Sequence, residues 1–170
     1  MSARTDYSPL QRFLLLKEKV LRRKRIEGIY VLEAAEVPLP AKHGAPQQNF
    51  IRSFASQFGF SEPHIGEREW MGAEAFRDDA RRSIIESLAG GAEIGHSRWD
   101  VPPNEAEVLA DEFLSLFADE ARFFCSSPPA AGTQPFAPLD RPDSYEYIYG
   151  GGCIAIDPQI AAIFWMLDND

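Results

Sequence analysis

The strongest constraint on the fold lies near the C-terminus. Ile160 to Leu167 is an unbroken apolar run, and a second run, Cys153-Ile154-Ala155-Ile156-Asp157, precedes it across Pro158-Gln159. Short runs rich in β-branched and aromatic residues, bounded by Gly and Pro, are strands. Upstream, Tyr145, Tyr147 and Tyr149 alternate with Glu146, Ile148 and Gly150, the two-residue period of another strand. Gly150-Gly151-Gly152 reads as the hairpin turn between the first two of these strands. Three sequential strands joined by short turns predict an antiparallel meander. A sheet of that kind must bury at least one face against another layer, which the rest of the chain has to supply.

The remaining chain carries helical patterns. Ser8-Pro9 is a helix start, with Ser as N-cap and Pro at the first helical position. Leu10, Phe13, Leu14, Leu16, Val20 and Leu21 then predict a helix to about Arg25. Its basic end, Arg22-Arg23-Lys24-Arg25, suits the negative pole of the helix dipole. Ile29 to Ala34 reads as a strand or a continuation of that helix. The prolines of Val37–Pro46 impose a loop. Phe50, Phe54 and Phe58 predict a second helix over Gln47–Phe58, stopped by Gly59, with the rings as packing residues. A third helix is expected over Gly72–Ala89. Asn104 and Glu107 resemble a capping box opening a fourth, which runs to about Asp119 with an acidic outer face. Ala121–Ser126 reads as a strand, and residues 127–143, with five prolines, as a long loop. The expected fold is α+β: an antiparallel sheet of four to six strands, mainly C-terminal, against three or four helices. At 170 residues, with 45% hydrophobic and 25% charged side chains, the chain fits a single globular domain. It holds no apolar stretch of the ~18–20 residues a membrane span needs.

Charge narrows the function. The net charge is -9, which argues against nucleic acid as the main partner. Residues 1–25 carry +6 and the remaining 145 carry -15, with -11 of that in residues 99–170. Such a field steers cationic partners, and the acidic body is also a near target for the basic first helix. Two cysteines, Cys125 and Cys153, make no disulfide framework and read as small core residues in a reducing, cytoplasmic setting.

Catalytic signals are sparse. His43, His64 and His96 are widely spaced, with no pair at metal-ligand spacing. No nucleophile-elbow, Walker or dinucleotide-binding motif is present. The terminal Asp168-Asn169-Asp170 reads as a solvated tail rather than a cation site. No cofactor or metal is expected. Aromatic residues beside acids stand out instead: Tyr145 and Tyr147, Trp165 near Asp168, and Trp99 next to Asp100. Such a set suits a protein-binding surface for an Arg- or Lys-rich partner, and the tyrosine face suits one side of a core equally.

Gly150-Gly151-Gly152, a strand ending in Ile156-Asp157, a turn, then Phe164-Trp165 and Asp168 resemble the closing strands of the SUKH superfamily of bacterial immunity proteins. The resemblance covers residues 144–170. An early Leu39-Pro40 is also shared, whereas the Asn-Gly turn that follows it in that family is missing here. The resemblance implies a cytoplasmic antidote that binds a toxin. The leading expectation is a non-enzymatic immunity protein occluding a basic toxin active site through Trp99, Asp100, Tyr145, Tyr147, Trp165 and Asp168. The rivals are a small hydrolase using His96 or His64 with an acid or metal, and an adaptor subunit that oligomerises through the Phe-rich helix.

Overall fold

A computed structural model of the chain describes residues 7–23, 29–42, 44–60, 74–89, 101–125 and 149–168. Among the described residues, four helices and five strands make an α+β fold. In chain order they are α1 (Pro9–Leu21), β1 (Ile29–Glu36), α2 (Ala45–Ser56), β2 (Glu74–Ala75), α3 (Arg77–Ala89), α4 (Pro103–Leu114), β3 (Arg122–Cys125), β4 (Tyr149–Ile156) and β5 (Ile160–Asp168). A 3-10 turn, Leu39–Ala41, precedes α2. Every strand pairing is antiparallel, in the order β1-β5-β4-β3-β2. Of the expected C-terminal meander, β4 and β5 form the second hairpin, while the Tyr145–Tyr149 strand lies outside the described residues apart from Tyr149, which belongs to β4. Strand β3 pairs with the other edge of β4, and β1 joins on the far side of β5.

Both sheet faces are covered, and the two-residue strand period sorts side chains between them. On one face Tyr30, Leu32, Phe123, Ala155, Ala162, Phe164 and Met166 meet Phe13, Leu16 and Val20 of α1, Ile84 and Leu88 of α3, and Leu109 and Phe113 of α4. On the other, Val31, Phe124, Ile154, Ile156, Ile163, Trp165 and Leu167 meet Ile51, Phe54 and Ala55 of α2, with Phe60. Both faces of β5 are thus buried, which explains its unbroken apolar run. Phe54 stacks on Phe50 at 6.2 Å and meets Phe58 edge-on at 5.3 Å, so the two α2 rings and Phe58, just past the helix end, pack together on the sheet side.

Local chemistry sets the element ends. Ser8 caps α1 through a capping box: its Oγ accepts from Gln11 N–H, and the Gln11 side chain accepts from Ser8 N–H. The hairpin turn between β4 and β5 is Pro158-Gln159. The buried Asp157 builds it: one carboxylate oxygen accepts from Gln159 and Ile160 N–H at 2.7 and 2.9 Å, and the other from Ala118 N–H at 2.9 Å. Arg77 donates to the carbonyls of Leu114, Phe117 and Ala118, closing the C-terminal end of α4.

Several expectations are corrected. Gly150-Gly151-Gly152 is not a turn but part of β4. Gly152 has φ +152°, and a Cβ there would stand 2.1 Å from the Phe164 carbonyl oxygen, so glycine serves a close strand approach. The third helix begins at Arg77 rather than Gly72, because Glu74–Ala75 pair with β3. Asn104 is not the N-cap of α4. Pro102 holds that position with no side-chain cap, and Pro103 starts the helix. Helices α1 and α4 end at Leu21 and Leu114, short of the expected ends. The Ile29 segment is a strand throughout.

Candidate functional site

The residues singled out from sequence fall in three groups. Trp99, Asp100, Tyr145 and Tyr147 lie outside the described residues, as do His43, His64 and His96. Asp168 ends β5, opposite Tyr149 in the register. Trp165 requires a correction: it is 0% exposed and packs edge-on against Phe60, ring centroids 4.9 Å apart, beneath α2. Its position on the fully covered strand β5 seals the ring in the core, where no partner reaches it. The apolar run of which it is part was the sequence signal for this outcome.

The described surface shows how the chain uses its own charge. All four acids of α4 have basic partners on or beside the flanking helices. Lys19 of α1 pairs with Glu112 at 2.6 Å, and Arg23, just past the end of α1, pairs with Glu105. From α3, Arg81 reaches Asp111 at 2.7 Å and Glu107 at 3.3 Å. The hydrogen bond from Arg81 holds the Asp111 carboxyl below its ordinary range, and the same contact raises the guanidinium. Lys17 of α1 reaches Glu33 on β1 at 2.7 Å. The acidic helix thus takes its cations from α1, from Arg23 just beyond it, and from Arg81 of α3. Lys17, Lys19 and Arg23 of the basic N-terminal region find acidic partners inside the molecule, in keeping with the -15 carried by residues 26–170. Sequence alone could not assign these pairs, since they join residues 16 to 93 positions apart.

Between α1 and α4 runs a shallow open groove of about 310 Å³, lined by Arg12, Leu15, Glu18, Lys19, Arg22 and Glu112. Arg12 donates to Ser115 Oγ at 2.7 Å across it, and Lys19 is engaged by Glu112. Its walls carry both signs of charge, with no nucleophile and base in hydrogen-bonding reach of each other. On the other side of the sheet, Arg122 grips Glu74 through two bonds of 2.8 and 2.7 Å and sits over the Phe124 ring. The bonds to Glu74 raise the Arg122 pKa. This cluster pins the short strand β2 to β3.

Among the described residues, no group of three or more His, Cys, Asp or Glu gathers as a metal site, and no helix is long and apolar enough to cross a membrane. Cys125 and Cys153 are free and buried, as expected of core residues, and stand directly opposite each other on β3 and β4. By architecture the molecule is an antiparallel sheet clad on both faces by helices. The chain matches no protein-family model, no curated protein and no solved structure.

Proposed function

We propose that the chain is a non-enzymatic binding protein, and specifically an immunity protein that neutralises a bacterial toxin by covering its basic active site. The supporting observation is the charge left over once the fold has used what it needs. Every acid of α4 is matched within the helical layer. Asp157 is committed to the β4–β5 turn. Yet the chain retains a net -9, and besides Asp157 residues 140–170 hold five acids against Arg141 alone. An excess of acid weakens a compact state by self-repulsion, so its concentration in the sequence around Tyr145 and Tyr147 suits an external cation.

In this reading the excess acid steers a basic partner into place, and Tyr145, Tyr147 and Trp99 supply desolvated contact area. Asp100 and Asp168 meet basic side chains at the toxin's active site and block substrate. No bond is made or broken. The test is capture of the partner, beginning with the product of the neighbouring reading frame, followed by titration calorimetry. Charge reversal at Asp100 and Asp168 combined with Tyr147→Ala weakens binding at least tenfold and flattens its salt dependence. Affinity unchanged within threefold overturns the reading.

A further inference from the structure

We propose that Cys125 and Cys153 form a redox clasp, a dithiol that closes to a disulfide across β3 and β4 and fastens the base of the segment between them. The two residues are direct register partners in an antiparallel pair. Directly opposed residues have Cα atoms about 4.5–5.5 Å apart, inside the roughly 4.4–6.8 Å that a disulfide requires. Both side chains belong to the same buried cluster, between the sheet and helices α1, α3 and α4. The Cys153 thiol donates to the Ile154 carbonyl at 3.5 Å. Little backbone movement separates the dithiol from the bonded form.

Burial also sets the conditions under which the clasp closes. Desolvation pushes the Cys153 thiol well above its ordinary pKa, so thiolate is scarce while the strands stay paired. Reaction therefore waits on local separation of β3 from β4 at the Cys125–Cys153 pair. Once closed, the bond is shielded from reductant by the same packing. The oxidant is a small two-electron acceptor of the azo or disulfide class. With diamide, both S–H bonds break and one S–S bond forms, and the two protons and two electrons convert the N=N bond to a hydrazine. The closed loop spans residues 126–152, which include Tyr145 and Tyr147. Only the effect of the clasp on partner binding rests on the function proposed above.

The experiment is intact-mass spectrometry of the native full chain after diamide, followed by alkylation in denaturant. The expected product has lost two hydrogens, takes up no alkylating agent, maps to a Cys125–Cys153 link and reverts with dithiothreitol. Its unfolding midpoint lies above that of the reduced protein. Cys125→Ser and Cys153→Ser each abolish the internal link. Two thiols that remain fully alkylatable overturn the proposal, as does a link that forms only between chains or only in urea. The wild-type mass decides even where a serine variant fails to fold. A link that forms while partner affinity stays fixed leaves the clasp intact and counts against the contact role of the tyrosines.

Discussion

Gly152 shows how a single residue carries two constraints at once. Its φ of +152° disfavours any side chain, and an added Cβ meets the Phe164 carbonyl oxygen at 2.1 Å and Trp165 Cα at 2.7 Å. Gly44 has φ +63°, but an added Cβ there finds nothing within 4 Å. Gly152→Ala is expected to cost at least about 3 kcal/mol, from strain plus collision with backbone that cannot yield. Gly44→Ala carries strain alone and should cost about 1–2 kcal/mol. Urea titration of the pair checks the difference. Asp157 offers a second test. Removing its carboxylate in Asp157→Ala leaves the N–H groups of Ala118, Gln159 and Ile160 without their acceptor, a loss of about 2–4 kcal/mol. Asp157→Asn can retain the two turn bonds while facing an amide N–H toward Ala118, so its loss should be smaller. The glycine triplet is visible in the sequence, yet it suggests a turn where the structure has a strand. Glycine marks turns and close approaches alike, and only the neighbouring strand distinguishes them.

Among the elements, the helix starts separate local signals from tertiary ones. Ser8-Pro9 was legible because a cap is a contact between near neighbours in sequence, and Ser8→Ala should cost about 1 kcal/mol by thermal denaturation. Asn104 carried the same kind of signal and lost to Pro103, whose fixed φ sets the helix start. Asn104→Ala should therefore lie within about 0.5 kcal/mol of wild type in the same measurement. The start of α3 was misplaced because pairing of Glu74–Ala75 with β3 is a long-range contact. The helical layer also makes a prediction in pH. Asp111 has a lowered pKa in the folded state, so its stabilising contribution is present above its ordinary value and fades as pH falls through the lowered one. Arg81→Met should move the Asp111 titration back toward the ordinary range in carboxyl NMR. Added salt should do so in part, since both groups face water.

At the scale of the whole molecule, two cores share one sheet, so damage to either should propagate to both. Phe113→Ala beneath α4 and Phe54→Ala beneath α2 should each cost about 3–5 kcal/mol. Each should shift a single transition, with circular dichroism and fluorescence coincident; separate transitions would show that the layers unfold independently. The fold class was readable because apolar periodicity is written locally. The candidate surface was less so. Trp165 looked like a contact residue beside Asp168 until the strand carrying it proved to be covered on both sides. The pairing of α4 with its basic neighbours depended on a packing order that composition does not encode. That order of strands has a consequence for biosynthesis. β5 is the last of the five to leave the ribosome, yet it lies between β1 and β4. Until it emerges, β1 has no strand to join, and the nascent chain must hold a hydrophobic edge in waiting. A premature stop before Ile160 would withdraw the shared neighbour of both, leaving a product for chaperones and proteases rather than a trimmed but working protein.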